Sequence, residues 1–202
     1  MSAFDDKTVH LYKIRDIFDI NTIYNKYESI RHKALFHFRL SANKMSVKFD
    51  FEGKVALITG SSSGIGASTA ILFAKSGASV VVTGRNAENV KEVAKKCREV
   101  SHGREVALEV VADLTKEEDL KRLVDTTIKT YGKIDILVNN AGFGVRAGIT
   151  DADYFEKFRK VQELNLNSVV LLTHLCVTHL EKTKGNIINI SSVAAIRSVS
   201  RH

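Results

Sequence analysis

At 202 residues and 44% hydrophobic side chains, the chain is the size of one globular domain and holds ample apolar material for a core. Its net charge of +7 raises the possibility of nucleic-acid binding. However, its bases are interleaved with acids in helical patterns such as Lys116-Glu117-Glu118-Asp119-Leu120-Lys121-Arg122, the mark of a solvated helix face.

All 12 glycines lie at or beyond Gly53, whereas six of the ten phenylalanines and three of the five tyrosines lie within the first 51 residues. This shift divides the chain into an N-terminal extension, 1–48, of unreadable role and a main domain, 49–202. A helix is expected from Thr22 to Leu40, capped by Asn21. Met45-Ser46 looks like a natural domain start, so what precedes it is either an extension or a gene-model artefact. Asp5, Asp6, Asp16, Asp19 and Glu28 interrupt the bases of this segment, which disfavours a mitochondrial transit peptide. Neither end carries the run of about 18 apolar residues that a membrane span needs.

From Val55 onward, strands and helices alternate as a doubly wound parallel sheet requires. Val55 to Ile58 is a short, continuous apolar run, the pattern of a strand buried on both faces. Thr59-Gly60-Ser61-Ser62-Ser63-Gly64-Ile65-Gly66 follows, with a helix starting near Ile65. Gly60 allows a sharp turn off the strand, Gly64 a close backbone approach to a pyrophosphate, and Gly66 close packing of the helix. Ser61 to Ser63 add hydroxyl donors, and the free N–H groups at the helix start favour an anion. The sequence then predicts strands over Ser79–Thr83, Glu105–Val111, Ile134–Val138 and Asn186–Ile190. Helices between them should turn Val90, Val93, Ala94 and Cys97, then Leu120, Leu123, Val124, Ile128 and Tyr131, toward the core. A long helix from Ala152 to Leu180 is apolar nearly all round, so burial or a subunit interface is expected for it. Cys97 and Cys176 fall among apolar residues without metal-ligand spacing, as core thiols of a reducing compartment do, so no metal site is expected and the cytoplasm is the expected location.

The spacing Thr-Gly-x-x-x-Gly-x-Gly resembles that of the short-chain dehydrogenase/reductase (SDR) family. Three more motifs match in order: Asn139-Asn140-Ala141-Gly142 after the fourth strand, Asn165 within the long helix, and Asn186-Ile187-Ile188-Asn189-Ile190-Ser191-Ser192. The resemblance runs from Phe49 to His202. It implies a Rossmann-type three-layer α/β/α fold, incomplete at the C-terminus, and an NAD(P)-dependent oxidoreductase acting on ketones and secondary alcohols.

The cofactor set implied is Thr59, Gly60, Ser61, Ser62, Ser63, Gly64, Ile65, Gly66, Arg85, Asn86, Asp113, Leu114, Asn140, Ala141 and Gly142. At the end of the second strand, Gly84 stands where an acid would bind the adenosine ribose of NAD, and Arg85 follows. A guanidinium there suits the 2′-phosphate of NADP, so NADP(H) is favoured over NAD(H); the alternative is a surface arginine capping a turn. Asp113-Leu114 matches an adenine-contacting pair, although Asp113 could equally cap a helix beginning at Thr115. Resemblance assigns Asn140 to the nucleotide ribose, a role compatible with an amide that stabilises a turn.

For catalysis the resemblance implies Ser192, which would hydrogen-bond the reacting oxygen, and Asn165, which would help to hold a proton-relay water. The competing readings are a strand-end hydroxyl and a helix-bending polar residue. A tyrosine with a lysine four residues on, the expected proton donor and its pKa-lowering partner, is not in the chain. The positions four after Tyr12, Tyr24, Tyr27, Tyr131 and Tyr154 hold Asp16, Glu28, Arg31, Asp135 and Phe158. The chain is thus expected to end before the motif, leaving the fifth strand as an open edge and the isolated chain poorly soluble or marginally stable. Three functions remain open: an NADP(H)-dependent reductase read incompletely, a non-catalytic dinucleotide binder, and an inactive isoform that pairs with full-length subunits through the long helix. Partners expected are the dinucleotide and a small carbonyl or alcohol substrate, with no nucleic acid and no membrane.

Overall fold

A computed structural model describes residues 49–101 and 106–192. The extension 1–48 with its expected helix lies outside the described residues, as does Glu105, the expected first residue of the third strand. The elements run β1 (Val55–Ile58), α1 (Gly64–Lys75), β2 (Ser79–Gly84), α2 (Ala87–Val100), β3 (Ala107–Val111), α3 (Glu117–Tyr131) and β4 (Ile136–Asn139). They continue through α4 (Tyr154–Gln162), a π-helical turn (Glu163–Asn167), α5 (Ser168–Thr183) and β5 (Asn186–Asn189).

The strands form one parallel sheet in the order β3-β2-β1-β4-β5. Leu57 lies opposite Val81 on one side and Leu137 on the other, so the apolar runs are in register across the centre. Alternate residues go to opposite faces. Ala56, Ile58, Val80, Val82 and Val138 pack with Ala70 and Ala74 of α1 and Val90, Ala94 and Cys97 of α2. Leu57, Val81, Val110 and Leu137 pack with Leu120, Leu123 and Val124 of α3 and Leu172, Cys176 and Leu180 of α5. Burial on both faces is why β1, β2 and β4 read as unbroken apolar runs rather than as alternations. Burial also pushes the Cys97 thiol up to about 11, with the Arg98 charge opposing, and the Cys176 thiol up to about 12.

The long helix differs from its expected form. It begins at Tyr154, is interrupted by the π-turn and continues to Thr183. It is not buried throughout: α4 buries no residue and exposes Phe155 and Phe158, while the second half turns Leu172, Cys176 and Leu180 inward and leaves Val170 and Val177 outside. Apolarity on every face therefore does not translate into burial on every face. Strand boundaries shift by a residue or two, with β4 running to Asn139 and β5 stopping at Asn189.

At the N-terminal ends of the central strands the buried Asp135 accepts hydrogen bonds from the Val55 N–H (2.9 Å) and the Lys54 ammonium (3.2 Å), and pairs with Lys133 at 3.0 Å. Burial pushes this carboxyl up, but the Val55 N–H and the two ammonium groups outweigh it and hold the carboxyl below its ordinary range. A folded pKa below the unfolded value of about 3.9 gives a contribution that is complete above that value and is lost as pH falls through the lower, folded pKa. Both lysines are about half exposed, which keeps the gain modest. Asp135→Asn is expected to cost about 1–3 kcal/mol at neutral pH, and to make the fall of melting temperature with acid shallower below pH ~4. Melts of both proteins from pH 7 to pH 2.5 check this, and superimposable acid limbs would refute it.

Candidate functional site

β1 is the strand at which the winding direction reverses: β2 and β3 extend the sheet on one side, β4 and β5 on the other. Helices leave such a point toward opposite faces, and a crevice opens at the C-terminal strand ends. The glycine-rich loop fills this position, and its hydroxyls divide into two kinds.

Thr59 and Ser61 are spent inside the protein. Thr59 is buried; its Oγ1 accepts from the N–H groups of Asn140 and Ala141 (both 2.9 Å) and donates to the Val138 carbonyl at 3.3 Å, while its own N–H donates to the same carbonyl at 2.9 Å. These bonds tie β1 to the exit of β4. Ser61, fully buried, does the same toward β2. Its Oγ donates to Ile58 O (2.7 Å) and accepts from the Thr83 N–H (2.9 Å), and its N–H donates to Thr83 O at 3.0 Å. The Ser61 hydroxyl thus spends its one proton on Ile58 O and one of its two lone pairs on the Thr83 N–H.

Ser62, Ser63, Gly64 and Ile65 are the outward part of the loop. Ser63 holds the N-cap position of α1 in extended backbone but makes no side-chain cap bond, and the first turn of α1 carries no acid. Its exposed hydroxyl and the orphan N–H groups of the helix start face outward. Ile65 is 67% exposed. Gly64 has φ +55°, a left-handed conformation that side chains resist, and nothing lies within 4 Å of where its Cβ would be. Gly60 shares that conformation, with φ +62°, and a Cβ there would also stand 3.0 Å from Ala141 Cα. At Gly66 a Cβ would collide with the Gly60 carbonyl and the Asn140 amide. The third glycine thus makes room for the loop's own closure rather than only for packing on the sheet.

Asn140 closes the loop from the β4 side. Its Nδ2 donates to Thr59 O at 2.9 Å and to Gly60 O at 3.4 Å. The adjoining Asn139, buried, donates from Nδ2 to Asn189 Oδ1 at 2.8 Å and to Thr173 Oγ1 at 3.3 Å, while its Oδ1 is buried without a partner among the described residues. Asn139 and Asn189 stand in two of the motifs quoted above without a role of their own, and Thr173 in none. The signal was the asparagine at the end of each of two neighbouring strands, which the register places opposite each other. Ser192 follows β5, whose end is further joined to β4 by the Ile190 N–H on Asn139 O at 2.9 Å.

Asn165 lies in the π-turn, one extra residue of helix that often marks a functional position. Its side-chain amide pairs with a single peptide residue in both directions: Oδ1 accepts from the Phe143 N–H at 3.1 Å and Nδ2 donates to Phe143 O at 2.8 Å. The side chain is therefore committed to positioning the loop after β4. A Cβ at Gly142 would stand 3.4 Å from Asn165 Oδ1, an ordinary contact, so the pairing does not itself demand glycine there.

Beyond β2, Asn86 is the N-cap of α2, its Oδ1 accepting from the Asn89 N–H at 2.9 Å. The cap at this turn is thus the asparagine and not Arg85. Arg85 is exposed, makes no hydrogen bond or ion pair among the described residues, and is near enough for its charge to act on Asp113. Asp113 is held below the ordinary carboxylate range, first by the Thr115 N–H, against burial, and further by the Thr115 hydroxyl, Arg85 and Lys116. It closes a turn onto Thr115 (3.1 Å to N, 2.8 Å to Oγ1) and does not cap α3, whose N-cap is Lys116. Leu114 belongs to the buried core beneath α3 and α5.

Residues 54–201 match a family model described as short chain dehydrogenase. Among curated proteins, an 11-beta-hydroxysteroid dehydrogenase A of Sesamum indicum is 35% identical over 78% of this chain and 45% of its own length. An L-fucose dehydrogenase of Bos taurus is 35% identical over 74% of this chain and 53% of its own. The chain spans about half the length of such relatives. A solved glucose dehydrogenase of Caenorhabditis elegans, in the apo form, superposes with a TM-score of 0.64 at 44% identity, covering 71% of this chain and 56% of that one. A hydroxysteroid dehydrogenase from Escherichia coli does so with a TM-score of 0.66 at 38% identity, covering 72% and 60%.

The division of the hydroxyls predicts opposite behaviour for two neighbouring serines. Ser61→Ala strands the Ile58 carbonyl and the Thr83 N–H in a buried place and should cost about 1–3 kcal/mol, a fall in melting temperature of several degrees. Ser63→Ala should melt within about a degree of the parent, since exposed changes away from such features are near neutral. Equal melting temperatures for the two variants would refute the division.

Proposed function

The chain belongs to the short-chain dehydrogenase family, and from that premise we propose that it is the dinucleotide-holding part of an NADP(H)-dependent oxidoreductase acting on ketones and secondary alcohols. The observation that carries the NADP preference is the end of β2, where Gly84 offers no acid and the exposed Arg85 makes no hydrogen bond or ion pair among the described residues. A guanidinium so placed suits a 2′-phosphate, to which it can make paired, charge-assisted hydrogen bonds.

The residues fit a dinucleotide by shape as well as by charge. The open space at Gly64 leaves the backbone bare where a pyrophosphate would approach, and the orphan N–H groups of α1 would hold it together with Ser63. When bound, the nicotinamide supplies or takes the hydride. In this reading Thr59, Ser61 and Asn140 hold the loop in shape, and Asp113 and Leu114 border the adenine. Ala141 and Gly142 keep the β4 exit low enough for the cofactor to lie across it. Ser192 would hydrogen-bond the reacting oxygen, while Asn165 fixes the loop opposite.

A second reading, a chain that holds the dinucleotide without completing proton transfer by itself, is favoured by one observation: none of its five tyrosines has a lysine four residues on. The exposed Phe155, Phe158, Val170 and Val177 on α4 and α5 support pairing with another subunit through this helix. The buried, unpaired Cys97 and Cys176 suit a cytoplasmic location.

Calorimetric titration of the chain with NADPH and NADH tests the cofactor assignment. NADPH should bind more tightly, and Arg85→Ala should weaken NADPH by about 10- to 100-fold while leaving NADH within about twofold, the scale of lost charge-assisted hydrogen bonds. Equal affinities in the parent would overturn the NADP assignment, and binding of neither would remove the cofactor reading for this chain.

A further inference from the structure

Gly84 lies in β2 with no left-handed backbone, so its conformation does not call for glycine. Its surroundings do. A Cβ built on Gly84 would stand 2.7 Å from the Ser62 Cβ and closer still to the Ser62 hydroxyl, with a Val90 methyl 3.6 Å away on the α2 side. Rotating Ser62 about χ1 moves the hydroxyl but leaves its Cβ in place, so no rotamer clears the conflict. Nor is the loop free to withdraw. Ser61, the residue before Ser62, is bound to Thr83, the residue before Gly84, by its N–H and its hydroxyl at 3.0 and 2.9 Å. The two positions are thereby held close together.

We propose that Ser62 and Gly84 form one specificity element, in which Ser62 occupies the space that any side chain at position 84 requires and so bars a ribose-binding acid from the end of β2. This rests on the NADP(H) reading above and gives the steric reason why no acid stands at the end of β2, while the attraction for the phosphate stays with Arg85. A carboxylate at position 84 needs two changes, since the loop must first lose its side chain at 62.

The proposal is tested on the full 202-residue chain by melting and by titration. Gly84→Ala should lower the melting temperature by about 5 °C, the scale of overpacking in a chain of this size. Adding Ser62→Gly should bring Gly84→Ala back to the melting temperature of Ser62→Gly alone. Adding Ser62→Ala should not, because the Cβ remains. In titrations, Ser62→Gly with Gly84→Asp should bind NADH about 10-fold more tightly than Gly84→Asp alone, as expected when a charged acceptor gains its place at the ribose hydroxyls. Gly84→Ala melting like the parent, or full recovery with Ser62→Ala, would overturn the steric element. Recovery of melting without the gain in NADH affinity would overturn its role in specificity. Equal affinity of the parent for NADPH and NADH would instead remove the NADP(H) reading itself and the specificity role with it, whereas a parent that prefers NADPH with additive variant effects would overturn the coupling alone.

Discussion

Two buried hydroxyls hold the crevice together. At a strand where the winding reverses, the chain must leave the sheet while its neighbours diverge, and several peptide groups at the strand ends lose their ladder partners. Thr59 supplies an acceptor to two N–H groups beyond β4, and Ser61 supplies both an acceptor and a donor between β1 and β2. An unmet buried peptide group costs about 1–3 kcal/mol, so these side chains decide whether the loop has one shape or many. Asn140 completes the set from the opposite side by donating to the carbonyls that the turn exposes. The groups left facing outward, Ser63 and the first N–H groups of α1, are then presented in a fixed array, and a ligand meeting them bears little ordering cost.

Much of this architecture is legible in the letters, for a physical reason. Val55–Ile58 and Val80–Val82 are buried on both faces, a demand that a continuous apolar run meets. The glycines of the loop are legible because side chains rarely adopt the backbone at Gly64 and a Cβ at Gly66 would collide with the Gly60 carbonyl. The hydroxyl partition is not legible. Ser61, Ser62 and Ser63 are the same residue three times over, and what separates them is whether a neighbouring strand end comes within hydrogen-bond reach. That depends on β2, more than 20 residues away. Asn86 and Asp113 show the same limit, since each makes a local turn bond that any asparagine or aspartate could make.

The long helix is apolar on most faces, and the fold of this chain covers only one of them. An apolar segment predicts that something must cover it, but not which face this chain covers. α5 packs Leu172, Cys176 and Leu180 on the sheet at helical spacing, whereas α4 contributes nothing to either core. The π-turn between them carries Asn165 and hides inside a periodic pattern, because one added residue in a helix leaves no mark in composition. Its partner, the Phe143 peptide, is 22 residues upstream, so the pairing could be found only once the fold had brought the loop and the helix together.

The proposed NADP preference combines two effects that respond differently to the medium. Arg85 is exposed, and its attraction for a phosphate weakens as salt shortens the Debye length to about 8 Å at physiological ionic strength. The exclusion of a side chain at Gly84 by Ser62 is a contact repulsion and does not depend on salt. An arginine alone would therefore discriminate well in dilute buffer and less well in the cell. The filled space beside Gly84 bars an acid from that position under any ionic condition. The staple from Ser61 to Thr83 makes that exclusion firm, because it holds the loop close to the strand end. The hydroxyl that shapes the loop and the glycine that ends β2 are on this view parts of one constraint, reaching from the packing of the strands to the choice of dinucleotide.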